Sequence, residues 1–228
     1  MGERDPFRAG RWLLPATVTV AAVGALRALS GWHERWGATA EELSASLPGD
    51  DLVAEPASQS TRAITVRAPS AAVWPWVVQL GADRAGFYSY DWLENLFGLG
   101  IHSADEVVPE WQHRAVGDLV HANAAGTGGW YVVRVVPVEA LVLQAANVRA
   151  GRPMRRDEDL RWEFLWTFAL REAPDGSTRL LVRERVGFGS RWTAALMAPV
   201  GLVSFVMTRK MLRGIRDRAE ALPRADAR

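Results

Sequence analysis

Two carboxylates, Asp91 and Glu94, stand in the aromatic run "GFYSYDWLENLFG", among Phe87, Tyr88, Tyr90, Trp92 and Phe97. On a helix over 83–97 this spacing places the two acids one turn apart, on the same face as Phe87 and Tyr90. Such a pair suits acid and base chemistry of the kind a cyclisation or dehydration requires. It equally suits structure: a helix with apolar groups on both faces is covered on most sides, and its acids then need cations, which Arg209, Lys210 and Arg213 supply. The residues favour the ion pair. A third acid, Glu184, is the polar member of the alternating row Leu180, Val182, Glu184, Val186. Buried in such a row, it needs an arginine, for which Arg183, Arg185, Arg191 and Arg209 are candidates, or it titrates upward and serves as a general acid. No residue is assigned as catalytic; Asp91, Glu94 and Glu184, with Tyr90, are the candidates if the protein is an enzyme.

Other chemistries are excluded or unsupported. The chain has no cysteine, so disulfides and thiolate catalysis are out. The four histidines, His33, His102, His113 and His121, form no HExxH or close pair, so no metal site is expected. No GxSxG occurs, and "GFGSRW" at 187–192 does not complete a phosphate-binding GxGxxG. No cofactor is called for. A net charge of +1 gives no reason to expect nucleic acid as a partner.

The elements that position the acids are those of one domain. With 228 residues, 49% hydrophobic and 23% charged, the chain can bury a sizeable core. "TRAITVRAP" from Thr61 alternates as a strand with Ile64 and Val66 on one side. "SAAVWPWVVQLG" reads as a helix bent at Pro75, and the acidic aromatic run as a second. Strands follow at 117–122, 130–137, 139–146, 161–172 and 178–187, the last two joined by the hairpin turn "APDGS". From Pro199 the chain reads as helix, with Met207, Met211, Ile215, Ala219 and Leu222 at helical spacing. "TAEE" at 39–42 is a capping box and "LPGDD" a turn, while "AEPASQS" reads as linker. The boundaries are an apolar segment over 1–30, a connector over 31–60, a domain over 61–222 and a tail over 223–228.

This order, with "APSAAVWPWVVQLGADRAGFYSYDWLEN", "VPEWQ", "VGD", "TRLLVRER" and "FVMTRKMLRGI", resembles the START-like helix-grip superfamily, in its polyketide cyclase and lipid-transfer branch. The resemblance implies an α+β fold in which a curved antiparallel sheet of about six or seven strands wraps a long C-terminal helix, with two short helices after the first strand. It also implies a cavity for an apolar ligand, and the superfamily holds carriers, receptors, cyclases and aromatases. On one face of strand 161–172 stand Trp162, Phe164, Trp166 and Phe168, which the fold divides between core and cavity. Val182 beside them and Phe205 and Val206 opposite extend the wall, and Tyr88, Tyr90, Trp92, Gln144 and Glu184 would orient a ligand. Three functions are open: binding or carriage of a hydrophobic small molecule or lipid, cyclase or aromatase catalysis, and an interaction domain whose interior is filled by its own side chains. The charged segment 148–161 is expected as a loop at the cavity mouth.

Residues 12–29 are mostly apolar and carry no charge apart from Arg27. As a helix they would reach roughly 27 Å at 1.5 Å per residue, just enough to span a bilayer. Membrane association through this segment is one expectation. The other is a helix docked on the domain of a cytoplasmic protein.

Overall fold

A computed structural model describes residues 31–155, 162–188 and 191–221. A capping box opens the first short helix as the sequence predicts: Thr39 N–H donates to Glu42 Oε2, and Glu42 N–H donates to Thr39 Oγ1, starting α1 (Ala40–Ser44). A 3-10 turn follows at Asp50–Val53. Strand β1 (Ser58–Val66) starts three residues before the alternation at Thr61 announces it, so part of the expected linker is strand. Helices α2 (Ser70–Val78) and α3 (Asp91–Leu96) come next. The remaining strands are β2 (Leu119–His121), β3 (Gly129–Val136), β4 (Ala140–Asn147), the two-residue β5 (Arg152–Pro153), β6 (Trp162–Glu172) and β7 (Thr178–Phe188). Helix α4 (Arg191–Ala221) closes the described chain with 31 residues. It begins eight residues before Pro199, where the sequence places its start.

The seven strands form one antiparallel sheet in the order β1-β7-β6-β4-β3-β2, with β5 paired to β4. Register decides which side chains share a face. Phe168 pairs with Val182 and with Leu141, Trp166 with Glu184 and with Leu143, and Arg62 with Val182. Directly paired residues point the same way, so the aromatic row, Glu184 and Arg62 all lie on one face. That face packs on α4 through Met211, Leu212, Ile215 and Ala219, together with Val73, Trp76 and Val77 of α2. The arrangement is a helix-grip fold.

The other face is covered by the segment between α1 and β1. Alternate residues of β7 there are Arg179, Leu181, Arg183 and Arg185, and Leu181 packs with Leu47, Ala63 and Ala169. Arg179 holds Glu42 through two nitrogens at 2.8 and 2.7 Å. Arg183 donates to Thr61 Oγ1, to the carbonyls of Glu42, Leu43 and Ala45, and to Asp50 Oδ2 at 2.6 Å. Arg185 reaches the carbonyls of Val53 and Ala54. Three arginines thus strap the connector to the sheet by saturating its carbonyls, as a guanidinium with five donors can.

Candidate functional site

The described interior of the grip is an aromatic row. Trp166 is its hub: its ring centroid lies 4.8 Å from Phe168, 5.2 Å from Trp130, 6.1 Å from Phe87 and 6.3 Å from Phe164, which lies 6.3 Å from Trp162. These are the spacings of tilted and edge-to-face aromatic contacts. Burial falls along the row: Phe168 and Trp166 are buried, whereas Phe164, Trp162 and Trp130 are half-buried. The indole N–H of Trp166 is buried and has no hydrogen-bond partner among the described residues, and the same holds for Trp76. Two clefts, of about 420 and 260 Å³, lie elsewhere, one beside Trp74, Arg114 and Pro137 and the other beside Glu34, Leu43 and Gln59. Neither touches the row.

Glu184 sits between sheet and α4 in a saturated network. Ser204 Oγ lies 2.8 and 2.9 Å from its two oxygens, Thr208 Oγ1 donates at 3.0 Å and Ser60 Oγ at 3.3 Å. Arg62 Nη1 stands 2.9 Å from Oε1, a charge contact whose N–H is not well aimed, while Arg62 Nε donates to the His33 carbonyl. The cation is therefore Arg62 of β1 and none of Arg183, Arg185 and Arg209; Arg191 lies in the first turn of α4. The reason is register: Arg183 and Arg185, one residue away on the same strand, point to the opposite face, and Arg209 stands over the Trp36 ring at 5.4 Å. A signal existed in the sequence, since Arg62 is in phase with Ile64 and Val66 just as Glu184 is in phase with Leu180 and Val182. Two opposite charges, each alone in an apolar row, are mutual partners.

The acids of the aromatic run are arranged differently from the expected ion pair. Residues 81–90 form turns, with a Gly81–Gly86 bridge and Tyr88 at φ 53°, and the helix starts only at Asp91. Asp91 accepts from the backbone N–H of Ser103 at 2.7 Å and from its hydroxyl at 2.6 Å. Asn95 likewise holds both backbone groups of Ile101, so α3 pins the returning loop. Glu94 is only 3% exposed, and its Oε2 is buried with no partner. Burial, with the nearby Asp91 charge second, pushes its carboxyl up to about 7. The cations assigned to these acids serve aromatic rings instead: Arg209 and Arg213 stand over Trp36 and Lys210 stands over Tyr90.

Other expected site residues are dispersed. Tyr88 is buried in the core, where its hydroxyl accepts from Gln79 Nε2 at 2.9 Å and burial raises its phenol well above the ordinary range. Val182 is buried on the row's face. Gln144 pairs with Leu165 on the opposite face of the sheet and donates to the Met154 carbonyl, because strand alternation sets it out of phase with Leu143. Trp92 is 68% exposed and points away from the grip, stacking edge-on with Tyr90. Phe205 is buried, but against Trp32, His33 and Arg62, and Val206 faces outward. Trp130 of β3 and Phe87 of the 81–90 turns join the row although strand-by-strand reading did not place them there; a sequence cannot show that side chains from beyond the neighbouring strand reach β6. Of the mouth segment, 156–161 lies outside the described residues, as does 1–30 with its expected membrane span. No helix among the described residues is long and apolar enough to cross a membrane, and no metal-binding cluster occurs among them.

No protein-family profile matches the chain, and no curated protein matches it. Solved structures do. The hypothetical protein jhp0584 of Helicobacter pylori is 11% identical, covering 77% of this chain and 96% of that one, with a TM-score of 0.46. CalU16 from Micromonospora echinospora is 15% identical over 72% of this chain and 84% of that one, with a TM-score of 0.33. Ara h 8.0201 is 12% identical over 71% and 97%, with a TM-score of 0.43. The helix-grip assignment rests on the chain's own strand order and on the seating of α4 in the sheet.

Proposed function

We propose that the protein binds a hydrophobic small molecule at the open end of the grip, against Trp162, Phe164 and Trp130. The observation that supports this is the burial gradient of the aromatic row, which ends in half-buried rings around a buried indole N–H, that of Trp166, without an acceptor. Apolar rings would supply affinity by area, about 25 cal/mol per Å² removed from water, and the unmatched donor would favour a ligand with an oxygen acceptor. Titration with paired fluorescent polyaromatic probes, one carrying a ketone and one a plain hydrocarbon, tests it. Both should quench tryptophan emission. Trp166→Phe should weaken the ketone probe by roughly fivefold to tenfold, the value of a hydrogen bond of ~1 kcal/mol, and leave the hydrocarbon unchanged. Absence of binding by either probe would remove the proposal.

A second reading, acid catalysis of the cyclase kind, is favoured by Glu94. A buried carboxyl that keeps its proton near neutral pH is suited to a general acid. It requires a substrate that reaches α3, and an activity lost in Glu94→Gln without loss of probe binding would select it.

A further inference from the structure

Helix α4 carries an apolar stripe that no other described residue covers. Leu202, Val203 and Val206 are 58, 57 and 41% exposed, and at 3.6 residues per turn they occupy one side of the helix. The opposite side holds Ser204 and Thr208 against Glu184 and Met211 and Ile215 in the core. In the sequence the stripe's spacing continues back through Pro199, Leu196 and Trp192. Both flanks are walled. On one, Phe205 meets the ring of Trp32 at 5.3 Å. On the other, Ser89 Oγ contacts the Met207 carbonyl at 3.3 Å and Lys210 stands over Tyr90. The stripe thus lies in a groove between Trp32 on one side and the Ser89–Tyr90 turn on the other.

We infer that residues 12–29 of the same chain occupy this groove. The described chain begins at one of its walls: residues 31–34 are helical, and Trp32 and His33 are fixed to α4 and β1 through Phe205 and Arg62. Whatever precedes Gly31 starts beside residue 205, at the lower end of the stripe. The segment in question carries no charge but Arg27 and is mostly apolar. Run as a helix parallel to α4, its 18 residues reach about 27 Å, against roughly 21 Å from position 205 back to 191 at the same 1.5 Å rise. Length, polarity and point of departure agree. The consequence is that the segment completes the domain's surface and does not leave it for a membrane.

The absence of cysteine makes the test clean. In the full-length protein, Ala22→Cys with Leu196→Cys pairs positions that the parallel arrangement sets at one level, and Ala22→Cys with the exposed Leu52→Cys on the other side of the sheet is the control. A short bis-maleimide should link the first pair within one chain, at a rate independent of protein concentration. That rate should exceed the control by at least about tenfold, the factor given by 1.4 kcal/mol. Equal rates, links only between copies, or loss of the link with co-sedimentation on phosphatidylcholine vesicles would each overturn the inference, the last two in favour of a second copy or a bilayer. Independently, Val206→Asp should leave the melting curve of the domain in place and speed tryptic cleavage after Arg27 about tenfold, because a carboxylate on the groove floor repels an apolar occupant. An unchanged cleavage rate counts against the docked segment.

Discussion

Glu94 and Glu184 are both buried carboxylates, yet their surroundings predict opposite responses to neutralisation. Glu184 faces the Arg62 cation and three hydroxyls. Glu184→Gln would leave Arg62 buried without its counter-ion and should lower stability by about 3–5 kcal/mol, read from urea midpoints at pH 7. Among the described residues Glu94 has no cation and an unpartnered oxygen, and burial pushes its folded-state carboxyl up to about 7 from the ordinary 4.5. Below the ordinary value both states are protonated and nothing is lost. As pH rises through the window from 4.5 to 7, the unfolded chain ionises while the native acid holds its proton, so stability falls with pH and the loss is complete above about 7, at on the order of 3 kcal/mol. Glu94→Gln should flatten that slope and be more stable than the parent at pH 8; a parent profile flat from pH 5 to 8 would count against the buried neutral acid. The expectation that both acids of the aromatic run are ion-paired is not met: Asp91 is held by Ser103, and Glu94 has no cation among the described residues. The sequence could show that an acid is surrounded by apolar residues. It could not show whether a cation 100 residues away lands beside it, because that depends on strand register.

At the scale of elements, the contact between the 81–90 turns and α4 hinges on a glycine. A Cβ at Gly214 would lie 2.5 Å from the Tyr88 carbonyl oxygen and 2.8 Å from the Tyr88 Cβ. Gly→Ala within a helix ordinarily stabilises by up to ~1 kcal/mol through propensity. Here the contact is with backbone held at a positive φ, so α4 must move and overpacking of ~1–3 kcal/mol outweighs the propensity gain. Gly214→Ala should lower the melting temperature, whereas Arg216→Ala, at a partly exposed site on the same helix, should change it little. Elements with strong local signals were legible: the capping box at Thr39, the strands β3, β4, β6 and β7 to within about two residues, and the Pro-Asp-Gly hairpin, where Ser177 binds back to Asp175. The illegible ones were set by tertiary contacts. The 81–90 stretch turns because Gly81 and Gly86 pair with each other, and the connector over 31–60 is ordered because Arg183 and Arg185 bind its carbonyls at Ala45, Val53 and Ala54.

For the molecule as a whole the question is how far the ring row acts as core and where it begins to act as a site. The hairpin pattern of β6 and β7 placed Trp162, Phe164, Trp166 and Phe168 on one face correctly, but period-two alternation assigns a face and says nothing about depth. Depth separates two substitutions. Trp166 touches four other rings and is buried, so Trp166→Ala should cost ~3–5 kcal/mol in lost core packing. Trp162 touches Phe164 and is half-buried; Trp162→Ala should cost less than Trp166→Ala, ~1–2 kcal/mol, since part of its ring stays in water and it makes fewer ring contacts. The proposed ligand site adds a linkage test. A hydrocarbon probe at 100 times its Kd that binds only the native state raises stability by about 2.7 kcal/mol. The parent should therefore melt several degrees higher with the probe, at roughly 2–4 °C per kcal/mol for a domain of this size, and Trp162→Ala should lose most of that gain. If the probe stabilises Trp166→Ala but not the parent, the interior is a closed core that only a cavity mutation opens. The half-buried rings would then be surface, and the protein an interaction domain whose grip is filled by its own side chains.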